Sequence, residues 1–130
     1  MILRTENLIK KYGKPKVVRD VSFHVDQGEI VGLLGPNGAG KTTTMRMITN
    51  FITPSGGNIE VGGKSMDQSS EDIKKHIGYL PENNPLYLDM YVKEYLAFNA
   101  SINKVKKSRI DEVITLTGLT PEAHKKIEQL

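Results

Sequence analysis

The sequence predicts an α/β fold built around a phosphate-binding loop, and three neighbouring features predict it. Gly35, Pro36, Asn37, Gly38, Ala39, Gly40, Lys41 and Thr42 carry the spacing G-x4-G-K-[ST]. The run before them, residues 29–34, is short, β-branched near its start and almost wholly apolar, as suits a central strand covered on both faces. After them, Thr44, Met47, Ile48, Phe51 and Ile52 recur at helical spacing. Strand, loop and helix in succession is the context that gives this motif its meaning.

The other elements follow from periodicity and turn chemistry. Val17, Val21, Phe23 and Val25 alternate with Val18, Asp20, Ser22 and His24, a period of two that reads as a half-buried strand. Residues 1–9 form its expected partner, with Tyr12, Gly13, Lys14 and Pro15 as the turn, giving an antiparallel edge ahead of any parallel sheet. Residues 54–57 break the helix of the loop, residues 58–61 make a short strand, and Gly62-Gly63 turn it. Ser70 is placed to cap a short helix over residues 71–75. Residues 77–80 read as a second buried strand, stopped by Pro81. Tyr91, Tyr95, Phe98 and Ile102 then share one helical face. Ser108 and Asp111 have capping-box spacing before Ile110, Val113, Ile114 and Thr117, and Gly118 is the stop. Thr120-Pro121 restarts a helix, with proline at its first position, that runs to Leu130. The expected division is residues 1–82, strand-rich and carrying the loop, and residues 83–130, helical and polar. The uncapped end at Leu130 reads as a truncation.

Bulk properties narrow the class. The 130 residues are 38% hydrophobic and 25% charged, ordinary for a globular domain and against disorder. There is no cysteine, which excludes disulfides and thiolate metal sites and fits a reducing compartment. The net charge of +3 favours anionic ligands but is too small and scattered to argue for nucleic acid. The basic run at residues 104–109 reads as the solvated approach to a helix. Arg4 and Glu6 follow Met1-Ile2-Leu3 at once, so no signal-peptide pattern is present, and residues 30–34 are far too few to span a membrane.

The loop itself specifies chemistry. Gly35, Gly38 and Gly40 let the backbone curl so that successive N–H groups point inward, and the following helix adds its free amides and dipole. Lys41 brings a mobile positive charge to the β- and γ-phosphates, and the Thr42 hydroxyl suits Mg²⁺. The motif arises by chance in roughly one in 200 chains of this length, and its strand-helix context lowers that much further. The residues therefore point to a nucleoside triphosphate, ATP with Mg²⁺.

The wider run Gly35 to Thr43, GPNGAGKTT, resembles the Walker A sequence of the ATPase subunits of ABC transporters. Four further segments agree. Leu8 to Gly13, ending Tyr12-Gly13, resembles the family's N-terminal segment, whose aromatic residue stacks on adenine. Val21-Ser22-Phe23 with Gly28-Glu29-Ile30 resembles the strands leading to the loop. Thr53-Pro54-Ser55-Gly56-Gly57 resembles the turn after the first helix, and Ile77 to Glu82 the strand reaching the Q-loop. The resemblance covers essentially the whole chain and is nearest to exporter ATPases of the gliding-motility and multidrug type.

This resemblance implies a P-loop NTPase fold of the ABC-ATPase type. Residues 83–130 would be the beginning of its helical subdomain. Tyr12 would stack on adenine, with Val18 lining the same pocket, although a buried strand position explains Val18 almost as well. Thr43 would reach the α-phosphate. Glu82 stands where most members have glutamine; it could still ligate Mg²⁺ beside Thr42, and with Lys41 it is a candidate for a catalytic role. Residues Asn83 to Tyr91 would dock on a transmembrane permease subunit, and two ATPase subunits, alike or different, would pair around two nucleotides. The protein would lie in the cytoplasm against the inner face of the cell membrane, with no nucleic-acid partner. The signature motif, the Walker B acid pair with its catalytic glutamate, and the switch histidine have no counterpart in this sequence. The chain is thus expected to bind ATP without turning it over efficiently. His24, His76 and His124 are widely spaced and read as surface or structural residues. A soluble ABC-type ATPase of DNA repair or translation is the alternative, disfavoured by the short stretch from Pro81 to Met90; a GTPase would need an Asn-Lys-x-Asp motif, which is absent.

Overall fold

Alternation at period two builds the first sheet. The computed structural model describes residues 2–130; Met1, where the sequence places the start of the first strand, lies outside the described residues. β1 (Leu3–Lys11) and β2 (Lys16–Val25) pair antiparallel, and the chain reverses between them with the Tyr12 N–H donating to the Pro15 carbonyl at 3.3 Å. On its other side β1 pairs antiparallel with β3 (Gly56–Val61), which turns through Gly62-Gly63 into the two-residue β4 (Lys64–Ser65). The order is β2-β1-β3-β4. Asn7 and Asp20 both take left-handed φ where the β1–β2 register shifts, and the Asn7 amide donates to the Asp20 carboxylate at 2.7 Å. Gly57 (φ +84°) sits against this bulge; a Cβ there would collide with the Glu6 and Asn7 carbonyls, so glycine is what lets β3 approach.

The core lies under this sheet. Leu8, Val18, Met47, Ile59, Met66 and Ile73 are buried together, joining β1, β2, β3, α1 (Lys41–Ile48) and α2 (Met66–Lys74). Thr5 is buried yet satisfied: its hydroxyl donates to the Val21 carbonyl at 3.2 Å and accepts from the Phe23 N–H at 3.1 Å. The second helix begins earlier than the sequence suggests. Met66 and Ile73 are two turns apart and both enter the core, which draws residues 66–69 into the helix. Ser65, not Ser70, holds the cap position, and its hydroxyl donates to the Asn58 side chain at 2.9 Å instead of capping; Ser69 is non-helical and kinks the helix.

Two expected strands do not form. Residues 29–34 and 77–80 are in no ladder, and Ile30 and Leu34 are 101% and 94% exposed. A strand buried on both faces needs neighbours on both edges, and among the described residues no parallel partner runs beside either segment. Both instead line an apolar cleft of about 520 Å³ with Phe23 of β2 and Met45 and Ile48 of α1.

The chain divides after Leu80, and Pro81–Leu130 is a compact unit of its own. There α3 (Val92–Ile102) and α4 (Ser108–Leu116) line a common apolar cleft with Leu96, Ala100, Val105, Ile110 and Val113. Of the expected face of α3, Tyr91, Phe98 and Ile102 are exposed and Tyr95 is half-buried, while Val92 and Ala100, also at helical spacing, are buried with Leu96 half-buried beside them. Phe98 packs edge-on against Tyr87 at 6.1 Å between ring centroids. Ser108 is the first helical residue of α4 rather than its cap, and Asp111 pairs with Lys93 at 3.3 Å. Gly118 (φ +70°) does end α4: its N–H and that of Leu119 donate back to the Thr115 and Ile114 carbonyls. No helix runs from Thr120 to Leu130. Two 3₁₀ turns, Thr120–Glu122 and Ile127–Gln129, stand there instead. The backbone near the second bonds to residues 88–92: Val92 N–H donates to Lys125, Ile127 N–H to Met90 and Glu128 N–H to Leu88, at 2.9–3.0 Å.

Leu8→Ala should lower the free energy of unfolding by about 2–5 kcal/mol, whereas Ile30→Ser should change it by less than about 0.5 kcal/mol. Urea titrations of the two variants check the contrast between a core side chain and an apolar one that touches nothing.

Candidate functional site

The loop takes its shape from one tight approach. Pro36 to Ala39 form a turn in which the Ala39 N–H donates to the Pro36 carbonyl at 3.1 Å. Gly38 and Gly40 follow with φ of +82° and +95°, and Gly40 is the N-cap of α1. A Cβ on Gly40 would lie 2.8 Å from the Val17 carbonyl oxygen and 3.1 Å from Val18 Cγ2. Glycine is therefore required twice here, for the left-handed φ and for contact with β2. The first intrahelical bond of α1 is Thr44 N–H to the Gly40 carbonyl at 2.9 Å. The amides of Lys41, Thr42 and Thr43 precede it and face the loop end without intrahelical partners. Alternating left-handed geometry followed by these amides is the arrangement that binds anions.

The side chains divide by what already holds them. Lys41 is folded into the loop, its ammonium donating to the Gly35 carbonyl and to the Pro36 carbonyl at 2.9 Å. The Thr44 hydroxyl donates to the Gly40 carbonyl at 2.8 Å and is buried, so it serves the helix. Thr42 is exposed and Thr43 half-buried, and neither hydroxyl has a hydrogen bond among the described residues. An uncommitted hydroxyl beside open amides and an ammonium fits a metal-bearing polyphosphate. No group of three or more His, Cys, Asp or Glu among the described residues could hold a metal by itself.

The remaining candidates are spread. Tyr12 is 54% exposed at the β1–β2 turn, with the Lys10 ammonium 5.2 Å from its ring centroid. Lys10, Lys11, Lys14 and Lys16 make this hairpin end basic. Val18 is 2% exposed, a core residue packed behind Gly40, with no surface to offer a ligand. Its neighbour Val17, half-buried and on the opposite side of the strand, carries the carbonyl that meets Gly40. Sequence reading singled out neither Lys10 nor Val17 here; for Val17 alternation offered a signal, since Val17 and Val18 cannot share a face. Glu82 is exposed in the second unit, just after Pro81.

Comparison with known proteins agrees with this geometry. Residues 18–130 match the family model described as "ABC transporter". The chain is 41% identical over 125 residues to the bacitracin transport ATP-binding protein BcrA of Bacillus licheniformis, covering 95% of this chain and 41% of that protein. It is 40% identical over 131 residues to the linearmycin resistance ATP-binding protein LnrL of Bacillus subtilis, covering 98% and 42%. A solved structure described as the ATP binding subunit of an ABC transporter superposes with a TM-score of 0.81 at 28% identity, covering 97% of this chain and 54% of that one. The chain thus spans about two fifths of the length of the curated relatives it matches.

Gly40→Ala should destabilise the chain by about 1–3 kcal/mol, from strain at positive φ with no room for a methyl group. Gly28→Ala should cost less, because φ is similar (+84°) but nothing lies within 4 Å of the added carbon. Thermal melts of the two variants separate crowding from backbone strain.

Proposed function

The chain belongs to the ABC transporter family, and on that premise we propose that it is the ATP-binding part of a transporter ATPase, coupling ATP binding and hydrolysis to membrane transport. The observation that carries this reading is the loop: left-handed Gly38 and Gly40, the open amides at the start of α1, and the Lys41 ammonium held at the same place. The amides of residues 38–42 cradle the β-phosphate. Lys41 moves from the Gly35 and Pro36 carbonyls to the β- and γ-phosphate oxygens, exchanging neutral acceptors for charged ones. Thr43 serves the α-phosphate and Thr42 the Mg²⁺ that accompanies ATP; Glu82 is a further candidate for that ion by its place in the sequence alone. That ion offsets phosphate charge when bound. Tyr12 stacks on the base, and Val17 rather than the buried Val18 borders it.

The unpaired segments fit the same reading. Residues 29–34 and 77–80 have the composition of strands covered on both faces, and the cleft they line is apolar. We propose that further parallel strands, which the longer relatives have the length to supply, fill that cleft. Residues up to 82 are then the nucleotide-binding core and residues 83–130 the start of a helical subdomain. Residues 83–91, with Leu86, Tyr87 and Leu88 exposed, offer apolar surface to a transmembrane permease subunit. ATPase subunits pair as a homodimer or heterodimer, peripheral on the inner face of the membrane. No helix among the described residues is long and apolar enough to cross a membrane. Relatives named for bacitracin transport and linearmycin resistance support the transporter reading. The chain alone binds ATP but hydrolyses it poorly, because it carries no counterpart of the glutamate that would orient water.

Three measurements test this. Lys41→Ala should remove most ATP affinity in a calorimetric titration with Mg²⁺; an unchanged isotherm rules out the site. Tyr12→Ala should weaken ATP binding by about 1–3 kcal/mol, the usual worth of base stacking. Phosphate release by the unmodified chain should stay far below about 1 s⁻¹, the lower end for an ordinary enzyme.

A further inference from the structure

Lys10 lies near the end of β1, and Tyr12 stands two residues on, just past the strand. The Lys10 ammonium lies 5.2 Å from the Tyr12 ring centroid, within the roughly 6 Å at which the negative face of a ring attracts a cation. The same ammonium donates to the Thr53 carbonyl at 2.6 Å. The turn that presents this carbonyl is itself tied to the end of β1. Ser55 N–H donates to the Ile9 carbonyl at 2.8 Å, and Lys11 N–H donates to Ser55 Oγ at 2.9 Å. Three hydrogen bonds therefore fasten the residues just before Tyr12 to residues 53–55, beyond the end of α1. The ring is more than half exposed, so packing does little to orient it. A cation anchored over one face limits its motion and leaves the other face open.

We propose that Lys10, anchored on the Thr53 carbonyl, is a positioning residue that holds the Tyr12 ring with one face free for a nucleobase. The proposal rests on the reading of Tyr12 as the stacking residue. Lys10 acts through the ring and not on the ligand. Simple attraction between Lys10 and a triphosphate would act on any polyphosphate equally; positioning acts only where there is a base to stack.

The test is a calorimetric titration of the chain and its K10M, K10R, Y12A and K10M/Y12A variants with Mg-ATP and, separately, with inorganic tripolyphosphate. K10M should weaken ATP binding about three-fold, the scale of an exposed cation–π contact, and leave tripolyphosphate binding unchanged. K10R should keep the affinity of the parent chain. With Tyr12 already replaced, K10M should have no further effect on ATP, since a residue that acts through another loses its effect when that one is gone. Equal losses on both ligands, or a full K10M effect in the Y12A background, would overturn the proposal and leave base stacking standing. A Y12A variant that binds ATP as tightly as the parent chain removes the stacking reading and the proposal together.

Discussion

Where β2 passes the phosphate loop, the Val17 carbonyl comes so close to Gly40 that no side chain fits between them. The left-handed turn at Gly40 starts α1 at that point, and the helix then drives Met47 and Ile48 toward Leu8, Val18 and Ile59. Loop geometry and core packing are therefore one problem with one solution. The loop has hydrogen bonds of its own, from Ala39 N–H to the Pro36 carbonyl and from the Lys41 ammonium to the Gly35 and Pro36 carbonyls. It is also shaped by being trapped between a strand and a helix whose positions the core fixes. Amides held this way need little reordering when an anion arrives, which is the physical meaning of preorganisation.

A second constraint is that a strand is only half of a hydrogen-bonded unit. The antiparallel sheet satisfies it internally, since β1 has β2 on one edge and β3 on the other. Residues 29–34 and 77–80 do not: Ile30, Leu34 and Leu80 stand exposed, while Ile77 packs against the core and Tyr79 against Phe51. The loop is consequently held unevenly. On its helix side it is anchored by the core, while on its strand side Ile30 to Leu34 contribute little packing. Segments with few buried contacts open at low free-energy cost, so the strand side is where the site is softest.

The second unit shows the same competition between backbone and side chain. Residues 88–92 bond to residues 125–128, which breaks the helix that Thr120-Pro121 would otherwise begin. Ile127 is buried as a result. The exposed Tyr87–Phe98 pair lies beside this ordered stretch, so the apolar surface proposed for a permease rests on residues whose backbone is already fixed.

Local chemistry was legible in the sequence. The loop, its following helix, the β1–β2 hairpin, the Gly62-Gly63 turn and the Gly118 stop each depend on residue type and spacing over a few positions, and the structure has them, although the helix ends at Ile48, short of the expected Phe51 and Ile52. The triphosphate reading needed Gly35, Gly38 and Gly40 with Lys41 and Thr42 at the mouth of a helix. Tertiary structure decided what depends on partners distant in sequence. It buried Val92 and Ala100 in α3 and left Tyr91, Phe98 and Ile102 exposed with Tyr95 half-buried, because two apolar stripes of the same period compete and only packing picks between them. It moved the start of α2 to Met66 and put Val18 inside the core, leaving Val17 beside the loop. It left residues 29–34 and 77–80 unpaired, since apolar runs announce a capacity for burial but cannot supply the neighbouring strands that burial requires.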